Sequence, residues 1–321
     1  MTRTWSATVR SHRGRSNDTV RWTARSGTVQ VVIGNTDNAR MKQTLPLCHI
    51  TFCHLVLEVL VFGTLVQTAR AQPVAGPTDP DATRLPANLV PNVTAVHPHD
   101  PAAFTQGLLF KDGFLYESTG QYGASSLRKV EIATGKVLRK KDIPQRYFSE
   151  GIAIVGHYIY MLTWREKTCV VFDTATFKEA AAFPYAGEGW GLCYDGRSLI
   201  LSDGGATLRL IDPKTFKTTG KIAVYDGPDP KKGKPVANLN ELEFIHGEIW
   251  ANMLGSKYIV RINPTDGRVI GWINCTNFFP KSIPANDPER VLNGIAFDAA
   301  TNRIFITGKD WPVLYELQLH E

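Results

Sequence analysis

Four polar side chains and one tryptophan directly precede the five copies of a repeated sequence pattern. These leading residues are Gln106, Glu150, Trp190, Asn240 and Asn293. A carboxylate beside a concave apolar site can accept and return a proton, so Glu150 is a candidate general acid/base. The amides of Asn240 and Asn293 have two open interpretations: they contact a substrate, or they form turns and cap backbone groups at a rim.

The last position of each copy also varies in chemical type. It is occupied by Gly120, Trp164, Gly204, Leu254 and Lys309. Trp164 is a candidate aromatic wall and Lys309 a candidate catalytic ammonium. The same residue types are equally compatible with a core aromatic at Trp164 and a solvated charge at Lys309.

Two phenylalanines extend this set of candidates. Phe104 and Phe148 lie two residues before Gln106 and Glu150. In a strand, residues two apart share a face, so each phenylalanine is expected beside the leading residue that follows it. The candidates together describe a pocket with aromatic walls, one carboxylate, one ammonium and several amides. Such a pocket fits a small polar substrate better than a protein partner.

The repeated pattern predicts the elements that position these side chains. Each copy reads as an apolar strand, a tight turn and a second strand, and the copies span residues 107–120, 151–164, 191–204, 241–254 and 294–309. Their starts are 40 to 53 residues apart, a period typical of propeller blades. Further strand pairs with Asp, Pro, Thr and Gly turns separate the copies. The sequence therefore predicts an all-β, five-bladed propeller of four-stranded antiparallel blades, with the leading residues at one mouth of the central channel.

The fifth blade is one strand short, because only residues 314–319 follow its hairpin. An open blade would expose a strand edge, so we expect a strand around residues 92–96 to pair with it. Two Pro-rich segments, residues 225–237 and 276–291, interrupt the repeat. They are either surface decoration or the walls of a pocket.

The front of the chain differs in composition from the rest. Residues 1–71 contain nine of the 36 Lys and Arg but only three of the 30 Asp and Glu, so the remainder is neutral. A neutral body gives no reason to expect nucleic-acid binding. Residues 1–40 are predicted to be an unstructured leader or a misassigned start, and residues 41–71 a signal peptide ending in Ala-Arg-Ala, with a membrane anchor as the alternative. A linker is predicted for residues 72–91 and the catalytic propeller for residues 92–321.

The cysteines give no indication of a metal site. Cys169, Cys193 and Cys275 lie in the body, and no two of them have the spacing of a metal knuckle. Cys169 and Cys193 fall inside predicted strands, where a buried thiol is expected.

Five short stretches carry a family resemblance. They are FTQG at 104–107, FSEG at 148–151, GWGL at 189–192, LNELE at 239–243 and TGKDWP at 307–312. In this order they resemble the plant and bacterial type of glutaminyl-peptide cyclotransferase, over essentially the whole body from Phe104 to Leu317. The joint match is far more specific than any single stretch.

The resemblance implies a five-bladed propeller that cyclises N-terminal glutamine of peptides and proteins to pyroglutamate, without metal or cofactor, and releases ammonia. By position it implies catalytic roles for Glu150 and Lys309. The implied substrate-binding residues are Phe104, Gln106, Phe148, Trp164, Trp190 and Asn240. A secreted or periplasmic monomer is expected, with no nucleic-acid partner and no membrane association after signal cleavage.

One position departs from the family pattern. Leu254 stands where the family usually has a tryptophan, so one aromatic wall is missing or is rebuilt by Trp250 or Trp311.

Two other functions stay open at this point. Glu150, Asn240 and Asn293 resemble the oxygen ligands of calcium-dependent propeller lactonases, although Lys309 would oppose a dication there. A non-enzymatic propeller that binds peptides or sugars is the other alternative.

Overall fold

The computed structural model describes residues 3–10, 17–25, 28–35, 39–46, 86–284 and 287–319. The chain divides into two compact units, Met1–Gln72 and Pro73–Glu321. In the first unit four strands form one antiparallel sheet in sequence order: β1 (Arg3–Arg10), β2 (Asn17–Arg25), β3 (Thr28–Asn35) and β4 (Ala39–Pro46).

This sheet differs from the unstructured leader predicted for residues 1–40. Thr, Val, Ile and Trp are frequent in β2 and β3, and these side chains favour extended backbone. β4 continues into the first residues of the predicted signal peptide. Residues 47–71 of that peptide lie outside the described residues.

The second unit is a five-bladed propeller, as predicted. The first three blades are antiparallel sheets of four consecutive strands. Blade 1 contains β7 (Thr105–Lys111), β8 (Phe114–Thr119), β9 (Ser126–Val130) and β10 (Val137–Asp142). Blade 2 contains β11 (Ser149–Val155), β12 (Tyr158–Thr163), β13 (Thr168–Asp173) and β14 (Glu179–Pro184). Blade 3 contains β15 (Leu192–Tyr194), β16 (Leu199–Leu201), β17 (Thr207–Ile211) and β18 (Thr218–Ala223).

The last two blades each take in a strand from the start of the propeller. Blade 4 contains β21 (Leu239–Ile245), β22 (Glu248–Met253), β23 (Tyr258–Ile262), β24 (Val269–Asn274) and then β5 (Ala87–Leu89). Blade 5 contains β25 (Leu292–Asp298), β26 (Arg303–Gly308), β27 (Val313–Gln318) and then β6 (Asn92–Pro98).

The strand β6 closes the fifth blade, which confirms the strand predicted around residues 92–96. It runs antiparallel to β27, with Tyr315 opposite Val96 and Gln318 opposite Asn92. The strand β5 was not predicted and lies inside the predicted linker. It pairs in parallel with β24 along Gly271–Ile273 and covers that edge. A segment of three residues is too short to show the alternation of side chains in a strand, so the sequence pattern did not predict β5.

Apolar side chains fill the five interfaces between neighbouring blades. Five clusters of buried residues lie in the described propeller, one at each interface. On β7, Leu108 packs towards blade 5 and Leu109 towards blade 2. Inner strands are thus buried on both faces, which explains why the copies read as nearly continuous apolar runs.

The glycines that open the copies let the inner strands converge. A side-chain carbon on Gly151 would lie 2.5 Å from the Leu192 nitrogen, and one on Gly191 would lie 1.9 Å from the Asn240 carbonyl oxygen. Only glycine fits such an approach of backbone to backbone. The starts of the inner strands of blades 2, 3 and 4 are therefore held close to one another.

The two interrupting segments carry small elements of their own. The first contains the pair β19 (Tyr225–Asp226) and β20 (Lys234–Pro235), and the second contains a 3-10 helix, η1 (Thr276–Phe278). In the second segment the Val291 carbonyl accepts a hydrogen bond from the Lys309 amide at 2.9 Å. The last residue of this segment therefore lies beside a candidate site residue.

Two further findings concern the described residues. No helix among them is long and apolar enough to cross a membrane. The three cysteines of the propeller are free and buried, as expected for Cys169 and Cys193.

Removal of residues 1–98 is expected to lower the melting temperature strongly, because it leaves the outer edges of blades 4 and 5 unpaired. Loss of both strands should cost several kcal/mol, and Tm should fall by about 10 °C or more. The matched control removes residues 1–85 and keeps both strands. Thermal unfolding followed by circular dichroism compares them, and equal Tm values would contradict the closing role of β5 and β6.

Candidate active site

The carboxylate of Glu150 lies buried at the start of the inner strand of blade 2. The strand register shifts between Ser149 and Ile152, so Glu150 sits in a β-bulge, and its side chain is re-aimed away from the regular ladder. Only 4% of Glu150 is exposed. Burial raises its pKa well above the usual range; Lys309 opposes this shift, while Glu188 and Glu166 add to it. Such a carboxyl is suited to both accepting and returning a proton.

Hydrogen bonds between side-chain amides orient Gln106, the residue that contacts Glu150. Asn293 Nδ2 donates to the backbone carbonyl of Thr105 at 2.9 Å and to Gln106 Oε1 at 3.3 Å. A carbonyl can only accept, so the Asn293 amide has one orientation, and the Gln106 oxygen must face it. Gln106 therefore presents its NH2 group to Glu150 Oε1, at 3.3 Å. This contact assigns Asn293 an orienting role that its residue type had left open.

Lys309 is also buried, and it faces the aromatic side of the pocket. Its Nζ lies 4.8 Å from the centre of the Phe104 ring, a cation–π contact. Burial lowers the pKa of Lys309, and the nearby Glu150 opposes the shift. A solvated surface charge is therefore the wrong interpretation of Lys309.

Aromatic rings line the pocket in a continuous series. The Phe104 and Phe148 ring centres are 6.2 Å apart, and those of Phe148 and Trp164 are 5.5 Å apart. The Phe148 ring occupies the space that a side chain on Gly120 would need, since an added carbon there would lie 2.3 Å from the ring. Gly120, the last residue of the first copy, therefore has to be glycine, because the Phe148 ring fills the space beside it.

Trp190 joins the same series through a shared carboxylate. The indole nitrogens of Trp164 and Trp190 both donate to Glu188 Oε2, at 2.8 and 3.0 Å. The Trp190 ring packs over Gly204, where an added side-chain carbon would lie 2.6 Å from it. Two walls from different blades are therefore connected by one oxygen atom.

Asn240 lies at the matching place in blade 4, but hydrogen bonds do not join its side chain to this network. Its backbone carbonyl accepts from Ser202 Oγ at 2.6 Å. The side chain is almost fully buried and forms no hydrogen bond to another described residue. Its amide group is therefore available to a ligand.

The wall expected at Leu254 is not rebuilt by either candidate tryptophan. Trp250 and Trp311 both lie in the core cluster between blades 4 and 5. Their indole nitrogens donate to Glu248 Oε2 and to the Arg290 carbonyl. Both rings fill the blade interface, and Leu254 is half-buried. Of the two alternatives, this placement favours a missing wall over a rebuilt one.

Three functional neighbours were missed by sequence reasoning. Tyr122 packs on Phe148 with ring centres 5.4 Å apart, and its hydroxyl donates to Glu166 Oε1 at 2.7 Å. Glu166 also accepts from the Phe148 amide at 3.3 Å. The third is Glu188, two residues before Trp190. Phe104 and Phe148 were selected because each lies two residues before the leading residue of a copy. Glu188 has the same spacing and could have been predicted in the same way.

A buried ion pair holds the loops that carry Phe104 and Lys309. His99 donates from Nε2 to Glu117 Oε1 at 2.9 Å and from Nδ1 to the Trp311 carbonyl at 2.6 Å. Burial alone would lower the pKa of His99, but the Glu117 carboxylate, the Trp311 carbonyl and Asp100 together outweigh it, and the pKa is raised. The Asp310 amide completes the link by donating to the Ala103 carbonyl at 2.8 Å.

A buried acid and a buried amine between aromatic walls are the features of a catalytic pocket rather than of a flat binding surface. The five blades and these buried groups together define the class of the protein, a five-bladed propeller enzyme.

The chain belongs to the glutamine cyclotransferase family, whose model matches residues 64–319. It is therefore an acyltransferase. It is 42% identical to a glutaminyl-peptide cyclotransferase of Arabidopsis thaliana over 233 residues, 71% of each chain. It also resembles the crystal structure of Myxococcus xanthus glutaminyl cyclase, with a TM-score of 0.67 and 35% identity, covering 73% of this chain and 98% of that one.

Proposed function

We propose that this protein cyclises the N-terminal glutamine of peptides and proteins to pyroglutamate and releases ammonia, with Glu150 as general acid/base. The observation that carries the proposal is the buried Glu150 carboxyl, held by Gln106 and flanked by Lys309 and aromatic walls. Membership of the glutamine cyclotransferase family supports the same reaction.

The reaction needs one proton to move between two nitrogens of the substrate. The α-amine attacks the carbon of its own γ-carboxamide, a nitrogen–carbon bond forms, and a five-membered ring closes. Glu150 accepts a proton from the attacking nitrogen and delivers it to the amide nitrogen. The bond to that nitrogen then breaks and ammonia leaves, so Glu150 ends the cycle as it began.

The raised pKa of Glu150 matches both halves of this transfer. An ordinary carboxylate is a poor base towards an amine, whereas a carboxyl whose pKa is raised by burial accepts the proton more readily. The bond from Gln106 holds the carboxylate oxygen in place during the transfer.

The aromatic walls perform the geometric part of catalysis. Nucleophile and carbonyl belong to one residue, so the enzyme must fold the glutamine side chain back onto its amine. Phe104, Phe148, Trp164 and Trp190 supply rigid apolar surfaces for this. The unbonded amide of Asn240 is suited to accept or donate to the substrate's polar groups.

Lys309 is the proposed stabiliser of the oxyanion in the tetrahedral intermediate. Its ammonium is buried, so its attraction to a developing negative charge is weakly screened. The NH2 group of Gln106 already donates to Glu150, which favours Lys309 over Gln106 for this role.

Mass spectrometry of a glutamine-initiated peptide tests the proposed function. Incubation with the protein should remove the mass of one ammonia molecule, and an N-acetylated copy of the peptide should stay unchanged because it has no free amine. Unchanged mass in the free peptide would refute the proposal. Loss of activity in chelator would instead support the calcium-dependent alternative.

Substitution Leu254→Trp is expected to lower KM for glutamine-initiated peptides, because it adds an aromatic surface at a half-buried rim position. A gain of about threefold to tenfold corresponds to one aromatic contact. Steady-state kinetics measure it, with Leu254→Met as a control of similar volume. Equal KM values in Leu254→Trp and the parent protein would mean that the missing wall is neutral.

A secreted or periplasmic location is proposed from the apolar segment and the Ala69–Arg70–Ala71 pattern, which lie outside the described residues.

A further inference from the structure

A short loop before blade 3 places a carboxylate between the two tryptophans of the pocket. Glu188 Oε2 accepts from the indole nitrogen of Trp164 at 2.8 Å and from that of Trp190 at 3.0 Å. Trp164 directly follows β12 of blade 2, whereas Trp190 precedes the inner strand of blade 3. One oxygen atom therefore couples two side chains that belong to different blades.

We propose that Glu188 is a positioning residue, which holds Trp164 and Trp190 as one rigid wall and thereby sets the affinity of the pocket for the glutamine side chain. This inference rests on the proposed function. Glu188 does not need to touch the reacting atoms, because it acts through the two rings.

The loop that carries Glu188 is itself fastened to both blades. The guanidinium of Arg209 donates to the backbone carbonyl of Glu188 at 2.8 Å and to that of Ala186. The Gly189 amide donates to the Trp164 carbonyl at 3.2 Å. The carboxylate is thus carried by a backbone that is hydrogen-bonded to blade 3 through Arg209 and to Trp164 through Gly189.

The guanidinium of Arg165 contacts both the Trp164 ring and the Glu188 carboxylate. The guanidinium carbon of Arg165 lies 3.7 Å from the centre of the Trp164 ring, and its Nε lies 3.5 Å from Glu188 Oε1. One carboxylate oxygen thus faces the indoles while the other faces a positive charge. Hydrogen bonds from Trp190 and Trp164, helped by Arg165, hold the pKa of Glu188 below its usual range.

An indole has a single donor and no acceptor, so each ring has one polar contact that can fix its rotation. A charged acceptor makes both contacts stronger than neutral ones. Without it, each ring keeps only packing contacts, and rigid walls are what lower the cost of ordering the bound substrate.

Glu188 also has an electrostatic effect on the catalytic carboxyl. The charged groups that influence Glu150 are Lys309, which lowers its pKa, and Glu188 and Glu166, which raise it. Removing the charge of Glu188 should therefore lower the pKa of Glu150. The acidic limb of the profile of kcat/KM against pH should move to lower pH.

Two substitutions separate the hydrogen-bond effect from the charge effect. Glu188→Ala removes both, whereas Glu188→Gln removes the charge but keeps an amide oxygen that can accept from both indoles. Glu179→Ala, an exposed carboxylate on β14 of blade 2, is the matched control.

Glu188→Ala is expected to raise KM about tenfold with a smaller change in kcat, in line with the loss of one to two net hydrogen bonds. Glu188→Gln should stay within about threefold of the parent KM. Both variants should show the acidic limb at lower pH, and Glu179→Ala should show neither change. A parent-like KM in Glu188→Ala overturns the proposal, and so does a loss confined to kcat.

Quenching of tryptophan fluorescence by acrylamide gives a readout that needs no turnover. Accessibility should rise in Glu188→Ala and stay near the parent value in Glu188→Gln and Glu179→Ala. Parent-like quenching in Glu188→Ala overturns the wall proposal even if kinetics change. A parent protein without cyclase activity would refute the proposed function and leave this measurement to decide the role of Glu188.

Discussion

Glu150→Gln is expected to lower kcat/KM for glutamine cyclisation by about 10²–10⁴-fold, the usual contribution of a general acid/base. The substitution keeps the shape of the side chain and an oxygen that can accept from Gln106, but it removes the group that accepts and returns the proton. Steady-state kinetics with a glutamine-initiated peptide measure the loss. A variant that keeps most of the parent turnover would remove Glu150 from the mechanism.

The same substitution should not destabilise the fold. Burial raises the pKa of Glu150 above its unfolded value, so the folded protein binds its proton more tightly than the unfolded chain does. The free energy of unfolding therefore decreases as the pH rises above the pKa that Glu150 has in the unfolded chain. It decreases further until the pH has passed the higher pKa that Glu150 has in the folded protein. Removing its charge should leave Tm at neutral pH equal to that of the parent protein or higher. A large fall in Tm would mean that lost activity reflects misfolding rather than chemistry.

Lys309→Met is expected to lower kcat by about 10²–10³-fold, the cost of removing one stabilising group from an oxyanion site. It should also move the acidic limb of kcat/KM to higher pH. The positive charge of Lys309 favours the ionised form of Glu150, so its loss raises the pKa of Glu150 further. The direction is opposite to that expected for Glu188→Gln.

Lys309→Arg is the matched control, because it keeps a cation over Phe104 while changing its shape. The acidic limb should stay near its parent position even if kcat falls. A Lys309→Met protein with the parent acidic limb would contradict the electrostatic coupling of Lys309 to Glu150. Parent-like kcat would assign oxyanion stabilisation to another group, with Asn240 as the next candidate.

Local patterns in the sequence sufficed for the blades. The five copies of apolar strand, tight turn and second strand, their period and the turn chemistry between them predicted five four-stranded blades. The missing strand of blade 5 predicted the pairing of β6. The short strand β5 escaped prediction because three residues carry no period. The strands β1 to β4 differ from the unstructured leader predicted for residues 1–40, and their β-branched side chains favour extended backbone.

Parts of the site depended on contacts that no local pattern encodes. Asn293 looked like a possible rim cap, and its contact with the Thr105 carbonyl joins positions 188 residues apart. The sequence did not predict Glu188 as a site residue, because its proposed role depends on hydrogen bonds from two indole nitrogens that belong to neighbouring blades. Trp250 and Trp311 seemed able to rebuild a wall because their order along the chain does not reveal that both rings pack between blades.

The sequence by itself determined the blade count, the closing strand and the positions at which the copies differ, since these follow from periods and turns within a few residues. Only the tertiary structure decided which way the differing side chains point. The bulges at the starts of β7, β11, β21 and β25 re-aim them, and the close approach of the inner strands brings residues from separate blades together. These directions depend on ring closure, so Glu150, Lys309 and the aromatic walls become one pocket only when all five blades are assembled.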